Sequence, residues 1–437
     1  MTRINMKFAI MLIIMLSNNV ELFETQLFSQ ALVNLWFPKE PNIVRVRTLD
    51  EVAIGKSVRI LDFIGLVTRH GYPAEEHIIT TKDGYNLKLH RIPDSPLSIN
   101  KDNKKPIFLQ HGVLGSSDLW VLFGPGKDLA FLLADQGYDV WLGNVRGNTY
   151  CRSHVKMSPQ NADFWQYSYH EIGTIDLPNM IDYVLDYTGK KFLHYIGHSM
   201  GTTLLFVLLS TRPDYNAKIR LGICFAPVAL FNELSPLFQQ AINNYQNIMK
   251  FFNDNEVNEL FPLSSTNIAS NKILCADNTK TQPFCIAVLF LFAGSDPIQM
   301  NTTALPGIFG HYPAGISVLT LYHYIQNILT HDFRHYDYGY FIHNDIVSER
   351  YELEKITAPL ALIYGAGDVI ASRSVKTFNV LELHKRLSNV ILFEEVPYKR
   401  FNHLDFFTGI DAKSLLFDHV IEIIEKFEAK QLNRSLF

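Results

Sequence analysis

The sequence predicts an α/β fold with a mostly parallel central sheet, flanking helices and an inserted, mainly helical cap. Three observations predict it. Short apolar runs typical of buried strands alternate with helical stretches in two separate parts of the chain. Between these parts, over about residues 227–353, the alternation stops and apolar residues recur at helical spacing. In addition, a Gly-x-Ser-x-Gly pentapeptide joins a predicted strand directly to a predicted helix.

The elements follow one another in a regular order. Apolar runs predict strands at residues 107–110, 138–142, 192–196, 220–225, 360–364 and 390–393. Helical spacing predicts helices at residues 127–136, at 202–209, along 234–252 and from Phe417 through the last amphipathic segment. The sheet domain is therefore expected in two pieces, residues 58–226 and 354–437.

The place of the insertion indicates its role. It follows the predicted strand that ends near Phe225. In open α/β sheets, segments inserted at the carboxyl ends of the strands lie over the ligand site. We therefore expect residues 227–353 to form a cap or lid over an active site rather than an ordinary helical subdomain.

Composition excludes several classes of protein. Of the 437 residues 47% are hydrophobic and 19% charged, which allows a large core and excludes wholesale disorder. The net charge of −4, with no basic run, argues against a nucleic-acid partner. The chain has no zinc-type Cys/His spacing, and no Gly-x-Gly-x-x-Gly follows an early strand. We expect neither a metal nor a cofactor.

The N-terminus has the pattern of a secretory signal. Arg3 and Lys7 precede an apolar run over residues 8–16, which is too short to span a bilayer. We expect a signal peptide at residues 1–17, followed by an N-terminal extension at 18–57. The sequence contains no second apolar segment near 20 residues, so no transmembrane segment is expected in the mature protein.

Cysteines and sequons fit the secretory compartment. Cys275 and Cys285 lie ten residues apart in a polar stretch and could form a local disulfide. Cys151 and Cys224 are interpreted as buried or free thiols. Asn301 begins an Asn-Thr-Thr glycosylation sequon, and a second sequon lies near the C-terminus.

The pentapeptide at residues 197–201 carries the chemistry. A short apolar strand precedes it and an apolar helix follows it, which is the context of the nucleophile elbow in α/β-hydrolases. Gly197 and Gly201 relieve collisions in a turn this tight. Ser199 is thereby predicted as a nucleophile exposed at a helix N-terminus.

A serine nucleophile needs a base, and the base needs an orienting acid. In α/β-hydrolases these follow in the order Ser, Asp or Glu, His. Asp368 stands directly after the strand at 360–364, and His403 follows the strand at 390–393. Taken singly, Asp368 could be a polar turn residue and His403 one of 16 histidines in a surface loop. Their order and places favour a catalytic set.

The tetrahedral oxyanion of such a reaction needs hydrogen-bond donors. The backbone N–H of Met200, the residue after the nucleophile, is the first candidate. The second is the N–H of Val113, because the loop His-Gly-Val-Leu-Gly directly follows the predicted strand at 107–110. Both donors are backbone groups, so the side chains matter little for this role.

Long stretches of the sequence resemble the acid lipase family, typified by gastric lipase and lysosomal acid lipase. They include LQHGVLGSSDLW, YDVWLGNVRGNTY, LHYIGHSMGTT, HYPAGISV and FNHLDF, and the resemblance covers the chain from about Asp62 to the final helix. It implies an α/β-hydrolase core under a cap and hydrolysis of carboxylic esters of neutral lipids. The cap between about residues 227 and 301 resembles the family only loosely.

The resemblance also assigns individual residues. The family's nucleophile, acid and base fall on Ser199, Asp368 and His403, its oxyanion amides on Val113 and Met200, its cap disulfide on Cys275 and Cys285, and a glycosylated asparagine on Asn301. The elbow carries Met200 where the best-known members have glutamine, a difference that leaves the backbone donor in place.

The sequence therefore predicts a secreted or lysosomal serine hydrolase without a cofactor, acting on triglyceride or cholesteryl ester at a lipid–water interface. Two alternatives stay open at this stage. One is a non-catalytic, lipid-binding member of the fold, and the other is a general short-chain carboxylesterase.

Overall fold

A central eight-stranded sheet organises the chain in the computed structural model, which describes residues 33–34, 37–53, 58–98, 103–231, 234–339, 348–371 and 379–435. The strands are β1 Val44–Val46, β2 Arg59–Leu61, β3 Glu75–Thr80, β4 Asn86–Ile92, β5 Pro106–Gln110, β6 Asp139–Gly143, β7 Leu193–His198, β8 Ile219–Phe225, β9 Glu259–Leu260, β10 Ile316–Ser317, β11 Leu360–Tyr364 and β12 Val390–Glu395. The large sheet has the order β12-β11-β8-β7-β5-β6-β4-β3.

The described helices lie on the sheet and in the segment between β8 and β11. They are α1 Leu49–Ala53, α2 Phe63–Thr68, α3 Leu129–Asp135, α4 Tyr169–Glu171, α5 Leu177–Thr188, α6 Met200–Thr211, α7 Pro236–Asn243, α8 Tyr245–Asp254, α9 Ser265–Leu274, α10 Gln282–Ala293, α11 Leu305–Ile308, α12 Val318–Thr330, α13 Asn379–Arg386, α14 Asp405–Thr408 and α15 Asp418–Ser435.

The sheet is mostly parallel, as predicted. Strands β5, β6, β7, β8, β11 and β12 pair in parallel, whereas β4 pairs antiparallel with both β3 and β6. Every residue of β5, β6, β7 and β11 is buried, which explains why these strands are continuous apolar runs in the sequence. Helices cover both faces of parallel sheets, and α6 is accordingly buried from Met200 to Ser210.

The carboxyl ends of four central strands lie side by side. Gln110 at the end of β5 pairs with Gly197, and His198 at the end of β7 pairs with Phe225 at the end of β8. Ile363 of β11 also pairs with Phe225. Because the strands are parallel, the loops that follow them meet at one edge of the sheet, where ligand sites of open α/β sheets lie.

The predicted strands and helices are present with shifts of one or two residues at their ends, with one exception. The helical pattern over residues 234–252 is not one helix, because Asn244 separates α7 from α8. Its backbone leaves the helical region, at φ −111° and ψ 11°, and its side-chain oxygen accepts a hydrogen bond from Asn247 Nδ2. Asparagine competes with the helix backbone in this way and favours helix ends.

The antiparallel pair β3 and β4 was not predicted. Strand β3 has the sequence Glu-Glu-His-Ile-Ile-Thr, and only Ile79 in it is buried, while Ile78 is 62% exposed. An edge strand with one covered face carries charged residues and gives a weak apolar signal.

Between β8 and β11 the described chain is mainly helical, with α7 to α12 and one short antiparallel pair, β9 and β10. The division into a cap at residues 227–353 and a two-part core stays a prediction. The signal peptide at residues 1–17 lies outside the described residues, as does much of the extension at 18–57. The part of the extension that is described contains β1, which pairs in parallel with β2. No helix in the described ranges is long and apolar enough to cross a membrane.

Candidate active site

Ser199 occupies a sharp turn between β7 and α6. Its φ of 53° and ψ of −118° are strained for a residue with a side chain, as expected at a nucleophile elbow. The surroundings hold it there, since Ser199 N donates to Phe225 O at 3.0 Å and Thr202 Oγ1 donates to Ser199 O at 2.7 Å. A Cβ at Gly201 would lie 2.4 Å from Gln110 O, so the glycine lets the helix approach β5.

The three residues predicted as nucleophile, acid and base lie within hydrogen-bonding distance. His403 Nε2 is 2.9 Å from Ser199 Oγ, and His403 Nδ1 is 2.7 Å from Asp368 Oδ2. With its Nδ1–H donated to the carboxylate, the imidazole presents the Nε2 lone pair to the serine hydroxyl. All three side chains are buried, and Ser199 is 5% exposed.

Backbone packing holds the loop of Asp368 against the loop of His403. A Cβ at Gly365 would lie 2.2 Å from Phe401 O, and one at Gly367 would lie 2.2 Å from Arg400 O. The two loops therefore touch backbone to backbone, which only glycine permits. Asp368 Oδ1 accepts from the N–H groups of the second and third residues after it, at 2.7 and 2.9 Å, and leaves Oδ2 for His403.

The loop after β5 passes beside the nucleophile. A Cβ at Gly112 would lie 3.0 Å from Ser199 Cβ, so the loop reaches the elbow directly before Val113. His111 fixes it, because Nδ1 donates to Gly112 O at 2.8 Å and Nε2 accepts from Asn148 Nδ2 at 3.3 Å. Burial lowers the pKa of His111 to about 4, which keeps the ring neutral. The oxyanion roles of Val113 and of Met200 stay predictions.

His198, the residue before the nucleophile, was missed by the sequence analysis. Its Nε2 donates to the backbone oxygen of His403 at 3.0 Å, and the two rings lie 4.7 Å apart. Burial lowers the pKa of His198 well below its usual range, so it is a neutral donor. The feature of the sequence that could have pointed to His198 is its position inside the Gly-x-Ser-x-Gly pentapeptide, directly before Ser199.

The end of helix α10 meets both the loop of Asp368 and the loop of His403. His403 N donates to Ala293 O at 3.1 Å, and Asn402 Nδ2 donates to Gly294 O at 3.0 Å. Gly294 has a φ of 102°, and a Cβ there would lie 2.1 Å from Gly367 O. We call residues 293–296 the cap-end segment. It joins the chain between β8 and β11 to the loops that carry Asp368 and His403.

Helix α10 itself is apolar on every side. From Pro283 to Ala293 it contains no charged residue, and only its first and last residues are buried. Leu291 is 43% and Phe292 36% exposed, directly before the cap-end segment. An uncharged apolar surface of this kind typically marks a site of contact with another apolar phase.

The cysteines behave as predicted. Cys275 and Cys285 form a disulfide that joins the end of α9 to α10. Cys151 and Cys224 are buried thiols whose pKa values are raised by burial. Asn301 is half-buried, and its Oδ1 accepts from Thr303 Oγ1 at 2.7 Å. Glycosylation at Asn301 stays a prediction.

Comparison with known proteins places the chain among lipases. Residues 63–124 match the family described as a partial alpha/beta-hydrolase lipase region, and residues 105–270 match the alpha/beta hydrolase fold. Lipase 1 of Drosophila melanogaster is 36% identical over 378 residues, which cover 85% of this chain and 82% of the relative. Human gastric triacylglycerol lipase is 34% identical over 371 residues, or 83% of this chain and 90% of the relative. Human lipase member K is 33% identical over 372 residues, with the same coverage of both chains.

Proposed function

Because the chain belongs to the lipase family that includes gastric triacylglycerol lipase, we propose that it hydrolyses carboxylic esters of neutral lipids through an acyl-enzyme on Ser199. Triglyceride and cholesteryl ester are the proposed substrates. The observation that carries the proposal is the hydrogen-bonded series Ser199–His403–Asp368 at a strained elbow. The combination of nucleophile, base and orienting acid is what acyl transfer requires.

In the proposed reaction His403 Nε2 takes the proton from Ser199 Oγ as the serine attacks the ester carbonyl. The backbone amides of Val113 and Met200 donate to the oxyanion, and the alcohol leaves with the proton from His403. Water then attacks the acyl-serine, again giving its proton to His403, and the fatty acid is released. Asp368 keeps the imidazole in the Nδ1–H tautomer through both halves.

The proposed partner of α10 is the lipid surface that presents the substrate. Its exposed Leu291 and Phe292 would lie against acyl chains. Residues 283–293 include no charged side chain, so this contact would require no charge to be desolvated. In the structure Ser199 is only 5% exposed, so an ester reaches it after the residues covering it move. The segment at residues 227–353 is the proposed cap.

We further propose that the protein enters the secretory pathway and acts outside the cell or in a lysosome. The signal pattern at residues 1–17, the disulfide between Cys275 and Cys285 and the sequon at Asn301 support this proposal. A disulfide persists in oxidising compartments and is rare in the cytosol.

A substrate comparison tests the proposed function. Hydrolysis of emulsified triglyceride, emulsified cholesteryl ester and a dissolved short-chain ester should be measured side by side, with Ser199→Ala as the inactive control. We expect higher activity on an emulsified substrate. Equal or lower activity there than on the dissolved ester would favour a general carboxylesterase. Failure of a fluorophosphonate probe to label Ser199 in the wild type would favour a non-catalytic lipid-binding protein.

A further inference from the structure

We propose that Asp296 and Asp405 are positioning residues that share one proton where the cap-end segment meets the loop of His403, and that losing this proton sets the alkaline limit of activity. The proposal rests on the proposed function. It concerns two carboxyl groups that the catalytic series Ser199–His403–Asp368 does not contain.

The two carboxyl groups are buried together. Asp296 is 0% and Asp405 1% exposed. The negative charge of Asp296 and a hydrogen bond to its carboxyl group both raise the pKa of Asp405, which places the two carboxyl groups side by side. Neither forms an ion pair with a lysine or arginine of the described chain. A hydrogen bond between two carboxyl groups requires a proton on one of them, because an ionised carboxylate only accepts. Two buried carboxylates in contact therefore hold one proton between them.

The other hydrogen-bond partners of Asp296 are all donors, so its carboxylate acts as an acceptor and can accept a further hydrogen bond. Its Oδ1 accepts from Tyr398 OH at 3.1 Å and from the N–H groups of Ile298 and Gln299 at 3.1 and 3.3 Å. Its Oδ2 is buried and receives no hydrogen bond from an amide, amine or hydroxyl group of the described residues. The proton carried by Asp405 supplies the missing donor.

The surroundings of Asp405 favour its protonated form. Burial and the negative charges of Asp296 and Asp368, opposed by the N–H of Asn402, together raise the pKa of Asp405 to about 8. Asn402 N donates to Asp405 Oδ2 at 2.7 Å and so fixes the carboxyl group two residues after His403. The charge of Arg400 acts to lower the pKa of Tyr398, the phenol that donates to Asp296.

The pair matters because it is one of the connections between the cap-end segment and residues 396–405, which we call the histidine loop. Others are Tyr398 OH to Asp296 Oδ1, His403 N to Ala293 O and Asn402 Nδ2 to Gly294 O. If both carboxyl groups were ionised, their repulsion would push the loop and the segment apart. A displacement of about 1 Å in a catalytic group lowers activity by on the order of 100-fold.

The direction of the pH effect follows from the raised pKa of Asp405. A carboxyl group whose pKa is higher in the folded than in the unfolded state stabilises the fold at low pH. This stabilisation declines above the unfolded value and is lost as the pH rises through about 8. The pair should therefore hold the histidine loop in acidic and neutral solution and release it in alkaline solution.

Asparagine substitutions test the proposal. Asp296→Asn and Asp405→Asn each keep the shape of the side chain and replace the labile proton by a permanent N–H donor. We expect the alkaline fall in kcat on a dissolved short-chain ester to move up by about one pH unit or more in both variants, with KM within about twofold. Asp411→Asn is the matched control, because its carboxylate binds Gln299 of the cap at 3.0 Å without a shared proton. It should keep the wild-type profile.

Two further measurements keep the outcomes distinct. At neutral pH the infrared difference spectrum of the wild type minus Asp405→Asn should show the band of one protonated carboxyl group, while Asp128 and Glu259, whose pKa values are raised to about 7, contribute equally to both proteins and cancel. If this difference band is absent, or if both asparagine variants keep the wild-type alkaline limb, the shared proton is refuted. Fluorophosphonate labelling distinguishes refutation of the shared proton from failure of the proposed function. If the proposed function fails, Ser199 of the wild type stays unlabelled at every pH.

Discussion

Replacing Asp368 by asparagine changes the histidine tautomer and little else. Asp368 Oδ1 accepts from two backbone N–H groups, and an asparagine oxygen retains both bonds. The asparagine NH₂ then occupies the place of Oδ2, 2.7 Å from His403 Nδ1. An NH₂ group donates, so the ring must turn its Nδ1 into an acceptor and carry its hydrogen on Nε2. That nitrogen then faces Ser199 Oγ without a lone pair to accept its proton.

The expected loss is large because the base is removed while the geometry remains. In serine proteases the equivalent substitution lowers kcat by roughly 10⁴-fold through the wrong tautomer. This corresponds to about 5 kcal/mol of transition-state stabilisation. Asp368 is 2% exposed, so bulk water does not replace its carboxylate as the acceptor for His403 Nδ1–H, and we expect the full effect here. The value of KM should change little, because no substrate contact is removed.

The assay is steady-state kcat on a dissolved short-chain ester near neutral pH, with Tm measured in parallel. Asp182→Asn is the control, since this carboxylate binds Lys218 and Tyr215 beyond the far end of α6. It should leave kcat unchanged. An Asp368→Asn enzyme with kcat within about tenfold of the wild type and an unchanged Tm would refute the role given to Asp368.

Two further predictions concern the cap-end segment and the disulfide. Gly294→Ala places a Cβ 2.1 Å from Gly367 O at a φ of 102°, so we expect a loss of at least about 2 kcal/mol in the free energy of unfolding and a lower kcat. Gly307→Ala, with no atom within 4 Å of the new Cβ, should leave both unchanged. Replacing Cys275 and Cys285 by serine opens a loop with a sequence separation of 10. The free energy of unfolding measured in urea should fall by about 3 kcal/mol. An unchanged value would contradict this and indicate that the loop is rigid without the bridge.

The elbow and the parallel strands could be predicted from sequence because their causes are local. A strand buried on both faces is a continuous apolar run, and β11 was accordingly predicted at its observed bounds. At the elbow the need for Gly197 and Gly201 is visible in the pentapeptide itself. Asp368 and His403 were predicted from their order in the chain and their positions after strands. Because the strands are parallel, the residues that follow them lie close together at one edge of the sheet.

The contact between Asp296 and Asp405 could not be predicted in the same way. Asp296 follows a helix between β8 and β11, and Asp405 follows the histidine loop, so no strand register relates the two. In sequence each is an ordinary acidic residue near a turn, and only burial turns the pair into a proton-sharing contact. His198 was missed for a related reason, since its partner is a backbone oxygen 205 residues away.

The position of the base depends on the chain between β8 and β11 as well as on the sheet. From the sheet side, Asp368 and the backbone packing at Gly367 fix the ring. From the other side, Ala293 O accepts the N–H of His403, at the end of the helix whose exposed Leu291 and Phe292 form the proposed lipid contact. A displacement of α10 at a lipid surface would therefore be transmitted to His403 through the hydrogen bonds from His403 N to Ala293 O and from Asn402 Nδ2 to Gly294 O, and through the adjoining carboxyl pair. In this arrangement the segment proposed to meet the lipid also positions His403, the proposed catalytic base.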